Sequence, residues 1–150
     1  MAYAGIPVRA GYYTAGPHGR KPAEAQAREL LSHSRRPTAI FAASDTQAVG
    51  VLEAARGEGL HVPEDLSVVG YDDIEIADVM HLTTVRQLLF ESGKRGAEHL
   101  LQVLDDPETE PAHVEVPTVL VERETTAEIK SHESRVTSQE SSARTRNAHS

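Results

Sequence analysis

The stretch TAIFAASDTQAVGVLEAARGEGLHVPEDLSVVGYDD, residues 38–73, decides the fold. Thr38 to Ala43 is a short, almost wholly apolar run, the pattern of a strand covered on both faces. Ser44 and Asp45 follow it, and either side chain can accept from the exposed amides of a helix expected over residues 46–58. Val49, Leu52 and Ala55 recur at helical spacing, and Gly59 stands where a left-handed helix end belongs. After the Val62-Pro63 turn, Leu66 to Tyr71 reads as a second buried strand ending in Asp72-Asp73. Strand, helix and strand with short joints make a βαβ unit, and hence a parallel sheet.

Outward from this unit the patterning continues. On the amino side, Pro22 suits a first helical turn, and Ala23, Ala27, Leu30 and Leu31 form an apolar stripe, predicting a helix over residues 22–32. On the carboxyl side, residues 82–85 look extended. A helix over residues 90–104 then carries Ala97, Leu100, Leu101 and Leu104 on one side. Residues 114–123 form a last extended segment, and Pro117 places the strand after it or at a sheet edge.

Composition narrows the function. Apolar residues make up 39% and aromatics 4%, so the core must be aliphatic. The absence of cysteine excludes disulfides, thiolate metal sites and a cysteine nucleophile, and fits a reducing cytosol. No apolar run approaches a membrane span and no signal peptide is visible, so the expected compartment is cytoplasmic, with no membrane partner. The net charge is −8; residues 131–150 hold three arginines against two glutamates, which leaves residues 1–130 at −9. A body this acidic repels a phosphate backbone, so direct DNA binding is not expected. The serine-rich end, residues 128–150, has almost nothing to bury and is expected to be a disordered tail behind a single domain over residues 1–127.

In an open parallel sheet, ligands bind beyond the carboxyl ends of the strands. The candidates are therefore Ser44-Asp45-Thr46-Gln47 and Tyr71-Asp72-Asp73, which meet at one edge if the two strands are neighbours. Carboxylates and a hydroxyl suit a ligand rich in hydroxyl donors, such as a sugar. The plainer reading of Asp45 is a helix cap. Of Asp72 and Asp73, one is expected to stabilise the following turn while the other stays free. Tyr12 and Tyr13 read as core aromatics when nothing else is considered. The eight histidines show no ligand spacing, so neither a metal site nor a cofactor is expected. Ser44 has no evident histidine partner and no nucleophile elbow, which disfavours hydrolase chemistry.

Four motifs then stand in a telling order: RPTAIFAASDTQAVG at 36–50, GLHVPEDLSVVGYDD at 59–73, LTTVRQ at 82–87 and LVERETT at 120–126. Together they closely resemble the C-terminal stretch of the lactose/galactose-repressor (LacI/GalR) family of transcriptional regulators. Gly11-Tyr-Tyr-Thr14 extends the likeness towards the amino end. The resemblance implies an α/β, periplasmic-binding-protein-like fold of two lobes, of which this chain holds mostly the C-terminal one. It also implies a small-molecule effector, a homodimer, and DNA contact only through an N-terminal helix-turn-helix. By position, Asp72 resembles the carboxylate that holds an effector hydroxyl, and Ser44 stands where some members use asparagine. Tyr13 resembles an aromatic that stacks on the effector, and Gln87 lies in the segment crossing between lobes. Asp45 looks mainly structural in that family. His81 and Leu88 stand where proline is frequent. On this resemblance the helix over 90–104 lacks a lobe to dock on, leaving its leucine face exposed and the chain marginally stable. Three other readings compete: a transport-type sugar receptor, a small metal hydrolase around Asp45, Asp72 and Asp73, and a fragment whose half-cleft is too shallow to bind.

Overall fold

A computed structural model of the protein describes residues 10–110 and 112–128. The tail expected over 128–150, apart from residue 128, and the first nine residues of the domain lie outside the described residues. In chain order the elements are α1 (Arg20–Leu31), β1 (Ala39–Phe41), α2 (Asp45–Gly57), β2 (Ser67–Asp72), α3 (Glu75–Val79), β3 (Thr84–Gln87), α4 (Leu89–Asp105) and β4 (Thr118–Val121). The strands form one sheet in the order β1-β2-β3-β4. Strands β1, β2 and β3 run parallel, and β4 joins β3 antiparallel at the edge. The last strand begins directly after Pro117, whose missing amide donor bars it from the ladder.

Helix α2 owes its limits to local chemistry. Ser44 is in extended conformation and its Oγ accepts from the Gln47 amide at 3.2 Å, which closes the amino end. At the other end Gly59 has φ 69°, the left-handed region that glycine enters without strain. That turn lets the Leu60 amide donate to Ala55 O and the Gly59 amide to Arg56 O, a Schellman closure.

The core is aliphatic and rich in small residues. Ala27, Leu31, Ala42, Ala48, Val51, Ala54, Ala55, Leu66, Val68, Ala77 and Leu82 form one buried cluster. The buried stripe of α2 runs through Ala48, Val51, Ala54 and Ala55, one residue away from the expected Val49 and Leu52, which are only half-buried. Close approach to α1 explains the shift. A Cβ on Gly50 would sit 2.2 Å from the Arg20 carbonyl oxygen, so only glycine lets the two helices meet there.

Among the described residues, the sheet is not covered on both faces, contrary to the apolar character of its first two strands. Val68 and Gly70 of β2 are buried on the α2 side. The alternate residues Phe41, Val69, Tyr71, Val85 and Leu120 line the other face in register. Phe41 is 60% exposed there and Leu120 56%. An apolar run shows that a strand seeks cover, and it does not say which segment supplies it. Residues of α4 are buried nowhere along its length, with Leu100, Leu101 and Leu104 all exposed, as expected of a helix without a docking surface.

Candidate functional site

Because β1 and β2 are parallel neighbours, Ser44, just past β1, and Asp72, the last residue of β2, lie at the same carboxyl edge. Ser44 is buried, and beyond capping α2 its Oγ lies 3.1 Å from His18 Nε2. The expectation that Ser44 has no histidine partner is therefore corrected: His18, 26 residues earlier, comes from the loop that precedes α1. Nothing in the local sequence links the two, so periodicity could not find the pair.

Asp45 is not the helix cap. It occupies the first helical position, is fully buried, and reaches across the sheet. Its Oδ2 accepts from the Ile74 amide at 2.9 Å and its Oδ1 from the Thr84 hydroxyl at 2.5 Å. Gly70 makes the passage possible, since a Cβ there would stand 2.3 Å from Asp45 Oδ1. Both oxygens are thus engaged in tying α2 to the turn after β2 and to β3, a structural task. Among the described residues, no cluster of three or more His, Asp or Glu could hold a metal ion.

At the end of β2 the backbone departs from strand geometry. Asp72 has φ 111° and Asp73 φ 58°, both in a region that aspartate tolerates better than most side chains but still at some strain. Asp72 Oδ1 accepts from Gln87 Nε2 at 2.6 Å, bringing together two candidates from β2 and β3. Asp73 is the partner that stabilises the turn: Arg86 Nε donates to Oδ2 at 2.5 Å and Arg123 Nη2 to Oδ1 at 2.8 Å. Burial alone works against the charge on Asp73, but the hydrogen bonds and positive fields of the two arginines outweigh it and hold the carboxyl below its usual range. Arg86 and Arg123 lie inside the stretches LTTVRQ and LVERETT, yet no local signal marks either as a partner of Asp73.

Tyr13 is 78% exposed, so it is not a core aromatic. Tyr12 is half-buried, donates through its hydroxyl to the Arg35 carbonyl and meets His33 edge to face at 5.2 Å. The chain also carries an open groove of about 390 Å³ lined by Leu52, Arg56, Val62, Met80 and Thr125 among others. It lies by the amino ends of β2 and β3, opposite the rim that holds Ser44 and Asp72.

Three parallel strands and an antiparallel edge strand, with polar groups gathered at the carboxyl edge of the parallel part, match a known architecture. The family model for a periplasmic binding protein-like domain covers residues 1–126. The chain belongs to that family. Solved structures similar to it include LacI-family regulators, and curated relatives include ribose operon and PurR repressors. The chain is 36% identical to the ribose operon repressor of Escherichia coli (strain K12) over 125 residues, 82% of this chain and 38% of that one. A regulatory protein of the LacI family from Chloroflexus aggregans shares 33% identity and superposes with a TM-score of 0.76, over 85% of this chain and 47% of that one. A LacI-family transcriptional regulator from Enterococcus faecium, solved with bound ribose, shares 32% identity with a TM-score of 0.67, over 75% of this chain and 42% of that one. This periplasmic binding protein-like chain thus spans less than half the length of these relatives. None of its described helices is long and apolar enough to cross a membrane.

Proposed function

We propose that this chain is the effector-binding portion of a LacI/GalR-type transcriptional regulator. It takes up a small hydroxylated metabolite of the sugar class at the carboxyl edge of its sheet. Asp72 and Gln87 grip ligand hydroxyls, Ser44 lines the same rim, and the exposed ring of Tyr13 is available to stack on the ligand. The role is one of binding rather than catalysis, in the cytoplasm. It governs DNA contact by a helix-turn-helix outside this chain within a homodimer. Regulation of this kind requires the effector to prefer one of two lobe arrangements, since a ligand with equal affinity for both shifts nothing.

The observation that carries this reading is the adjacency of β1 and β2, which puts Ser44 and Asp72 on one rim with Gln87 already hydrogen-bonded to Asp72. The Asp72–Gln87 bond is the kind of contact a ligand hydroxyl can replace. The E. faecium relative's bound ribose makes D-ribose the first ligand to try. A hydrolase built on the carboxylates is disfavoured because Asp45 and Asp73 already have both oxygens engaged.

Calorimetric titration with D-ribose and a panel of other pentoses and hexoses tests the reading. One sugar should bind, and Asp72→Ala should weaken it by about 10-fold or more, the scale of losing a hydrogen bond to a charged group. Undiminished binding by Asp72→Ala would overturn the assignment.

A further inference from the structure

Two adjacent aspartates at the end of β2 are held by two adjacent residues of β3. Gln87 donates to Asp72 and Arg86 to Asp73, at 2.6 and 2.5 Å. A third donor arrives from a different part of the chain. Arg123, just past β4, places Nη2 2.8 Å from Asp73 Oδ1 and Nη1 2.8 Å from the Leu82 carbonyl oxygen. Its own amide donates to Thr83 Oγ1 at 3.0 Å. The Arg123 guanidinium therefore bridges the turn after β2 to the chain entering β3, fifty residues away from Asp73 in sequence.

This clamp sits where the backbone most needs it. Asp72 and Asp73 both hold positive φ values, and such strain persists only when the surroundings over-determine it. The Asp73 side chain is 7% exposed and that of Arg123 15%, so the pair is shielded from solvent and salt. By contrast Arg86, with a side chain 49% exposed, contributes from the wet side. Among the described residues no arginine pairs with Asp72, whose carboxylate is held by Gln87.

We propose that Arg123 is a positioning residue for the ligand rim: by anchoring Asp73 it sets the left-handed turn that aims the Asp72 carboxylate at Gln87 and at an incoming ligand hydroxyl. The inference rests on the reading of Asp72 as a ligand group for its functional meaning, but its structural part is independent of any ligand. Arg123 touches no ligand itself. A planar guanidinium that meets a carboxylate and a carbonyl at once holds two chain segments at a fixed separation, which a flexible ammonium cannot do as well.

The test uses the full chain, labelled with ¹⁵N, and follows the side-chain carboxamide of Gln87. In Arg123→Met the Gln87 carboxamide resonances should move to the position of a free glutamine while the backbone amides of α2 stay put. In the same variant D-ribose, where it binds the parent chain, should bind about 10-fold more weakly. Arg123→Lys, which keeps a charge beside Asp73, should restore part of the Gln87 signal. Should Arg123→Met fail to fold, Asp73→Ala serves instead, because alanine removes the carboxylate that Arg123 anchors without granting the freedom for a left-handed turn that glycine would. A Gln87 carboxamide unchanged in the folded variants, even with a lowered melting temperature, would reduce Arg123 to a prop for the fold and overturn the inference. Ribose binding that survives Asp72→Ala would instead overturn the ligand reading while leaving the Gln87 shift intact.

Discussion

Helices α2 and α4 both carry apolar stripes, yet they end differently. Helix α2 buries Ala48, Val51, Ala54 and Ala55 against β2 and α1, while α4 buries none of its seventeen residues. The contrast extends to the polar groups. Asp45, on α2, sits in the core with both oxygens engaged; Glu91, on α4, meets Arg95 on the open surface. Amphipathic spacing thus states which face of a helix seeks cover. It does not say whether this stretch of chain supplies the cover.

The strongest way to break the contrast is to remove the cross-link on the packed side. Asp45→Ala leaves the Thr84 hydroxyl and the Ile74 amide without their acceptor in the core. We expect a loss of about 3 kcal/mol in unfolding free energy, read from the shift of the urea midpoint. An unchanged midpoint would mean the packed half does not depend on the buried carboxylate.

Acid and salt sharpen it next. The Asp73 carboxyl is held low against its own burial by Arg123 and Arg86, and that of Glu91 by its hydrogen bond and attraction to Arg95. A carboxyl whose folded value lies below its unfolded one stabilises the fold at neutral pH, and that contribution fades as pH drops below about 4 towards the folded value. Asp73→Asn should therefore flatten the acid side of the stability curve. High salt should erase the Glu91 shift, as followed by carboxyl NMR titration, and largely spare that of Asp73, which is screened less. Equal sensitivity of the two to salt would contradict the difference in their surroundings.

The smallest effect belongs to the unpartnered helix. Leu101→Ala on α4 should change the unfolding free energy of this chain by no more than about 0.5 kcal/mol, because the leucine is already exposed. A loss of core size, about 2 kcal/mol or more, would show that α4 is packed in solution.

Much of this architecture was legible beforehand. The βαβ unit, the glycine end of α2 and the start of β4 after Pro117 follow from spacing and turn chemistry, whereas the exposure of the α4 leucines followed only from the family resemblance. These signals act over a few residues, so a linear reading can carry them. Misreadings arose where one residue's offset mattered. Ser44, not Asp45, caps α2, and the buried stripe of that helix is shifted by one because Gly50 lets α1 come close. The strand run 38–43 looked buried on both sides because its composition records a need for cover, whoever provides it.

By itself, the sequence determined every strand and helix except the short α3, the aliphatic core and the gathering of polar residues at two strand ends. Hydrophobic periodicity and capping are local, and the chain carries them wherever it goes. Only the tertiary structure decided that His18 meets Ser44, that Asp45 reaches Thr84 through the gap left by Gly70, and that Arg123 closes on Asp73 from fifty residues away. Such pairings depend on which segments the sheet brings side by side, and hydrogen bonds of about 3 Å leave no trace in spacing along a chain.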